Sequence, residues 1–123
     1  MPIIEKNQIR LVSIMAGKFE LKSAKNGKFF FNLKASNGQI ILSSEMYETR
    51  QAAENGIESV KKNAADDQKY IRLKSKEGNP YFMLKAGNGE LIGKSELYSS
   101  QAGMENGITA VKKSAGQANT IKK

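Results

Sequence analysis

The chain copies itself. Leu33-Lys34-Ala35-Ser36-Asn37-Gly38 returns as Leu84-Lys85-Ala86-Gly87-Asn88-Gly89, and Ser44-Glu45-Met46-Tyr47 returns as Ser95-Glu96-Leu97-Tyr98. Glu54-Asn55-Gly56-Ile57 and Val60-Lys61-Lys62 return as Glu105-Asn106-Gly107-Ile108 and Val111-Lys112-Lys113. The offset is 51 throughout, and 17 of the 32 positions in 33–64 match their counterparts in 84–115. Lys18-Phe19 meets Lys69-Tyr70 at the same offset. The units are therefore 17–64 and 68–115. The linker between them, 65–67, is too short to act as a flexible spacer. Stacked repeats bury each other's apolar faces, so the two are expected to form one domain about a pseudo-twofold axis. Residues 1–16 have no counterpart and are expected to be an N-terminal extension outside the fold. Residues 116–123 are expected to be a flexible tail.

Each unit reads strand, strand, strand, helix. Lys18 to Lys22, Phe29 to Ala35 and Ile40 to Ser43 are separated by Asn26-Gly27 and Asn37-Gly38. Asn-Gly between apolar runs signals a hairpin, most simply a type I′ turn. Glu77-Gly78 and Asn88-Gly89 repeat the signal, and Pro80, which has no N–H, belongs at an edge or at a strand start. Thr49 and Ser100 stand where an N-cap belongs. Behind them Ala53, Ile57, Val60 and Ala64, copied as Met104, Ile108, Val111 and Ala115, make one apolar helix stripe. Gly56 and Gly107 lie on that stripe, where glycine costs about 1 kcal/mol against alanine. Their repetition implies a close approach of the helix to the sheet or to another helix, with a break into two shorter helices as the alternative. The fold class is α+β: two tandem β-β-β-α repeats forming one antiparallel sheet, with the helices on one face.

Composition narrows the chemistry. The 123 residues include no His, Cys or Trp. This removes disulfides, thiol nucleophiles, zinc ribbons and the usual general base. Asp66-Asp67 lack the spacing of a calcium loop, and the glycines sit singly, so no phosphate-cradling loop is present. The sequence names no catalytic residue, cofactor or metal ligand. Ser44-Glu45-x-Tyr47 reads as a strand-to-helix connection in which Ser44 caps, Glu45 accepts backbone donors and Tyr47 packs its ring. An enzyme working through Ser, Lys, Tyr or a carboxylate pair, such as a hydrolase, is the weaker alternative. Lys61-Lys62 and Lys112-Lys113 complement the helix dipole at its C-terminal end.

The formal net charge is +8. Residues 1–64 and 65–123 each carry 10 basic and 6 acidic side chains, so each half contributes +4. The charge belongs to the whole body rather than to an appended arm. Strand alternation places the candidate surface. With Phe31, Leu33, Phe82 and Leu84 inward, Phe30, Lys34, Tyr81 and Lys85 point away from the helices. Turning Ile71 and Leu73 inward adds Tyr70 and Arg72 to the same outer face, at the cost of a different phase in the first strand of each unit. Aromatics interleaved with cations on an open sheet are what single-stranded nucleic-acid binders present, rings stacking on bases and cations following phosphates. The partner is unknown; nucleic acid or an acidic protein would match this face, and the plainer reading is the outer side of a two-layer sheet, where lysines and aromatics screen the strands and blunt edges. The alternative is a protein-interaction or structural module working through sheet edges or helix faces. No apolar run is long enough for a membrane span and none resembles a signal-peptide core, so the chain is expected to be cytoplasmic; with its internal pseudo-dimer symmetry it is expected to be a monomer.

The doubled signature Leu-Lys-Ala-x-Asn-Gly, Ser-Glu-x-Tyr and Glu-Asn-Gly-Ile-x-x-Val-Lys-Lys resembles the YegP-like family of small bacterial proteins. The resemblance covers about residues 16–115. It implies tandem β-β-β-α units in one sheet with helices packed on it. The family is functionally uncharacterised, so it implies no catalytic residue, cofactor or ligand. The departures between units are Leu42 against Gly93 and Phe29 against Pro80.

Overall fold

The computed structural model describes residues 17–116 and 118–122, with only the backbone described at 119 and 122. The extension expected at 1–16 lies outside the described residues. The first unit forms β1 (Lys18–Ser23), β2 (Phe29–Lys34), β3 (Ile40–Ser44) and helix α1 (Arg50–Asn63). A single 3-10 turn, Asp67–Lys69, leads to β4 (Tyr70–Lys74), β5 (Pro80–Lys85), β6 (Leu91–Lys94) and helix α2 (Gln101–Ala115). A last strand, β7 (Asn119–Lys122), follows. The strands make one sheet in the order β4-β5-β6-β3-β2-β1-β7. The two units meet at β3 and β6, where Ser43 pairs with Lys94, its own counterpart at offset 51. The pseudo-twofold axis runs through that pair.

The turns differ from type I′. No non-glycine residue has a positive φ, whereas Gly27, Gly38, Gly78 and Gly89 have φ between 82° and 88°. The Asn26, Asn37 and Asn88 side chains each accept the amide two residues on, at 3.0 Å. That bond keeps the asparagine right-handed and leaves the left-handed position to glycine alone, as in a three-residue loop closed by a glycine bulge.

Both helices cover one face of the sheet. Thr49 Oγ1 accepts the Ala52 amide, and Ser100 Oγ accepts the Gly103 amide, as N-caps should. The expected stripes, Ala53, Ile57, Val60 and Ala64 with Met104, Ile108, Val111 and Ala115, are all buried against Phe19, Leu21, Phe31, Leu33, Phe82 and Leu84. α1 packs on β1 and β2 and reaches β6, while α2 packs on β5 and reaches β3 and β2. The units thus share one core.

The repeated motifs meet in that core. Phe31 stands edge-on to Phe19 and stacks on Tyr47, with centroids 5.8 and 6.2 Å apart, and Phe82 does the same with Tyr70 and Tyr98 at 5.7 and 6.4 Å. The tyrosine ring lies on the helix glycine. A Cβ added to Gly56 would stand 2.5 Å from Tyr47 Oη and 2.8 Å from Cζ, and one on Gly107 would collide with Tyr98 Oη. Ser44 does not cap a helix. Its Oγ accepts the Phe31 amide at 2.8 Å and donates to the Glu45 carbonyl, and Ser95 does the same with Phe82 and Glu96. The hydroxyl bridges two strands just where the ladder opens. Lys61 and Lys112 do more than complement a dipole, since their ammonium groups sit 5.8 and 5.6 Å above the Phe19 and Tyr70 rings.

Where the units differ, the structure compensates. Phe29 and Tyr47 exchange two backbone hydrogen bonds, but Pro80 can only accept, from the Tyr98 amide. Asn79 Nδ2 donates to the Tyr98 carbonyl left over, at 3.4 Å. Near the axis Leu42 is fully buried, and a Cβ on Gly93 would lie 2.6 Å from the Ser43 carbonyl and 3.3 Å from Leu42 Cγ. One leucine fills the space, and a second would overfill it.

The tail is not flexible along its whole length, because Asn119–Lys122 pairs in parallel with β1. The cause is where α2 ends: a Cβ on Gly17 would sit 3.1 Å from Ser114 Cβ, so α2 releases the chain beside β1. The symmetry that leads from α1 into β4 sends the chain after α2 along β1's own direction. β1 already holds that place, and the chain adds outside it.

In an open helix, glycine to alanine gains about 1 kcal/mol. Gly56→Ala and Gly107→Ala are instead expected to lose about 1–3 kcal/mol by overpacking against the tyrosine. Urea unfolding reads this as a lower midpoint. The cost should shrink for Gly56→Ala in a Tyr47→Phe background, and a rise in the midpoint on Gly56→Ala alone would contradict the packing.

Candidate functional site

The outer sheet face is built by alternation against the core. With Phe19, Leu21, Phe31, Leu33, Phe82 and Leu84 inward, one row crosses all seven strands on the other side: Ile121, Glu20, Asn32, Ser43, Lys94, Met83 and Ile71. Beside that row stand Lys18, Lys22, Phe30 and Lys34 in the first unit, and Leu73, Tyr81 and Lys85 in the second.

Four of the six residues expected on this face are there. Phe30 and Tyr81 are counterparts at offset 51, and so are Lys34 and Lys85. Each unit thus places one aromatic ring and one lysine on the face, on either side of the axis. The other two are not there. Tyr70 is 6% exposed, stacks edge-on to Phe82 and donates its hydroxyl to the Ala64 carbonyl at 2.7 Å. Burial pushes that phenol well above its usual range. Arg72 lies on the helix side, with its Nε 2.6 Å from Glu105 Oε2 and its Nη2 3.0 Å from Asp67 Oδ1. Lys112 completes the network at 2.8 Å from the same Asp67 oxygen. The expected phase change does not occur: Tyr70 and Arg72 occupy the positions of Phe19 and Leu21, and Ile71 and Leu73 turn outward. The 51-residue offset, applied to the first strand, carries that information. The apolar character of Ile71 and Leu73 outweighs it in a reading strand by strand.

The face is unequal in its two halves. Glu20 is 3% exposed and Asn32 6%, although both face away from the helices. Glu20 Oε1 lies 3.0 Å from Lys34 Nζ and 3.5 Å from Lys22 Nζ. Lys34 is therefore largely neutralised, whereas Lys85 and Lys94 have no carboxylate within ion-pair distance among the described residues. In the second half, Ile71 opposite Met83 and Leu73 opposite Tyr81 make a partly exposed apolar patch bordered by Lys85 and Lys94. Sequence reading missed Lys18, Lys22 and Lys94 as members of this face, because only strand register brings them to it. Among the described residues, no group of three or more His, Cys, Asp or Glu could hold a metal, and no helix is long and apolar enough to cross a membrane.

A sheet of fused pseudo-symmetric β-β-β-α units with this doubled motif defines a small tandem-repeat protein class. The model of a domain of unknown function, DUF1508, matches twice, at residues 24–70 and 75–121. A UPF0339 protein of Mannheimia succiniciproducens is 54% identical over 99 residues, covering 80% of this chain and 88% of its own. The chain belongs to this UPF0339, or YegP-like, family. The solution NMR structure of a UPF0339 protein from Shewanella oneidensis matches with a TM-score of 0.83 at 42% identity, over 88% of this chain and 92% of that one. That of E. coli yegP, a protein of unknown function, gives 0.83 at 39% identity, over 88% and 93%.

The Arg72 network carries a pH dependence. Hydrogen bonds from Lys112 and Arg72 hold the Asp67 carboxyl down at about 2, and Arg72 lowers Glu105. Both lie below the unfolded values near 4. The unfolded chain then binds more protons, so this stability is present above about pH 4 and fades as pH falls towards 2. Arg72→Leu, which installs the residue found at Leu21, should flatten the fall of melting temperature between those limits. An unchanged slope by circular dichroism would rule the network out as a contributor.

Proposed function

We propose that this chain is a non-enzymatic binding module whose outer sheet face engages a polyanion, with nucleic acid as the matching chemistry. The observation that carries the reading is the convergence of Lys18, Lys22, Lys34, Lys85 and Lys94 on the face that also holds Phe30 and Tyr81. On the strand positions of that face Glu20 is the one acidic side chain among the described residues. Cations there can track phosphates while Tyr81 and Phe30 offer rings to unstacked bases. The serine hydroxyls and tyrosine rings of the repeated motif serve the sheet and the core, whereas the Glu45 and Glu96 carboxylates, expected to accept backbone donors, are exposed instead, and this supports a role in binding over one in catalysis. A cytoplasmic location fits the same reading.

The test is a fluorescence titration of labelled 20-nucleotide single-stranded and duplex DNA and RNA across a salt series. Affinity should fall log-linearly with salt, and each lysine removed from the contact should reduce the slope by about 0.7–0.9. Lys85→Glu and Lys94→Glu should weaken binding more than Lys34→Glu, because Glu20 already occupies Lys34. Tyr81→Ala should weaken single strands more than duplexes. Absence of binding at low salt, or indifference to the charge reversals, would refute the proposal.

A further inference from the structure

The symmetry axis creates a second kind of surface. On either side of it, the loop closing β2–β3 or β5–β6 of one unit faces the motif tyrosine of the other, leaving two clefts; Glu96 and Leu97 also line the first, whereas helix α1 completes the second. One, of about 670 Å³, runs between Gln39, Ile40 and Ile41 of the first unit and Glu96, Leu97 and Tyr98 of the second. The other, of about 230 Å³, sets Glu90, Leu91 and Ile92 against Tyr47, Asn55 and Ser59. The two are counterparts: Gln39, Ile40 and Ile41 become Glu90, Leu91 and Ile92 at offset 51, and Tyr98 answers to Tyr47.

Two observations bear on what these clefts hold. The residue between Glu and Tyr of the motif is Met46 in one unit and Leu97 in the other, 46% and 57% exposed. Both units thus present a large apolar side chain to solvent at the same place, though the core demands nothing there. The charge is the reverse of the rest of the molecule. In a chain of net charge +8, Glu45, Glu90 and Glu96 have no lysine or arginine within ion-pair distance among the described residues. Glu90 and Glu96 line the clefts. The field of Glu45 and Glu90 reaches Tyr47, and that of Glu96 reaches Tyr98. With burial, these carboxylates raise both phenols, which stay protonated and able to donate.

We infer that the paired clefts are docking sites for an extended segment of a partner protein that alternates apolar and basic side chains. The apolar side chain packs against Leu97 and Ile40, or against Tyr47 and Leu91, and the cation meets Glu96 or Glu90. Backbone carbonyls of the segment can accept from the tyrosine hydroxyl. This site is separate from the lysine-lined outer face and selects the opposite charge, so the two surfaces can be occupied by different partners.

The probe is a capped octapeptide of alternating leucine and lysine, titrated into the 15N-labelled full chain and followed by amide chemical shifts. A matched leucine–glutamate octapeptide serves as the control. The inference expects saturable shifts centred on Gln39, Ile40, Leu97 and Tyr98, with a weaker set at Tyr47 and Glu90, for the lysine peptide only. Leu97→Ser and Glu96→Gln, both at exposed positions, should each weaken it by about tenfold while leaving the urea midpoint unchanged. It is overturned by no saturable shift up to about millimolar peptide, which corresponds to only about 4 kcal/mol of binding. It is equally overturned by shifts that gather elsewhere, by indifference to both variants, or by equal binding of the glutamate peptide.

Discussion

The contact between a tyrosine ring and a helix glycine organises this molecule. Tyr47 lies on Gly56 and Tyr98 on Gly107, so closely that a methyl group has no room. The glycine lets the ring slip between helix and sheet, where it stacks on Phe31 or Phe82. That fixes the height of each helix above the sheet. It also pins the segment between the last strand and the helix, because the Phe29 or Pro80 backbone holds the tyrosine from the other side. The glycine weakens the helix locally, and the buried ring returns more than the helix loses.

Duplication sets the rest, and the departures from symmetry decide what each surface presents. At the axis, two copies of one residue would compete for one volume, so Leu42 faces a glycine at 93. Leu21 is core, whereas its counterpart Arg72 reaches Glu105 and Asp67. Glu20 is buried among lysines, whereas its counterpart Ile71 is apolar and partly open. One sheet edge gains β7 while β4 remains at the other. The same scaffold therefore carries on its outer face a polar half whose Lys22 and Lys34 share one carboxylate and an apolar half whose lysines have none within ion-pair distance among the described residues, with acidic clefts between the units.

Much of the fold was legible. The helix stripes, both N-caps, the strand positions and the need for a close approach at Gly56 and Gly107 follow from periodicity and repetition, because those signals are local. Four of the outer-face residues, Phe30, Lys34, Tyr81 and Lys85, follow from alternation on strands whose inward residues are unmistakable. Tyr70 and Arg72 were misread because on β4 the apolar Ile71 and Leu73 take the outer face while Arg72, itself exposed, takes the helix side, where Glu105 and Asp67 pair with it. Ser44 and Ser95 read as caps because nothing local shows that the Phe31 and Phe82 amides need an acceptor.

The sequence by itself determined the α+β class, the two units, their register at 51 and the family, since each is written in local pattern and exact repetition. Tertiary structure decided which units share a core, which face Arg72 takes, how the last residues join β1 and where the unpaired carboxylates gather. Those outcomes depend on pairing between residues distant in the chain, and one side chain's partner can reverse what its own polarity suggests.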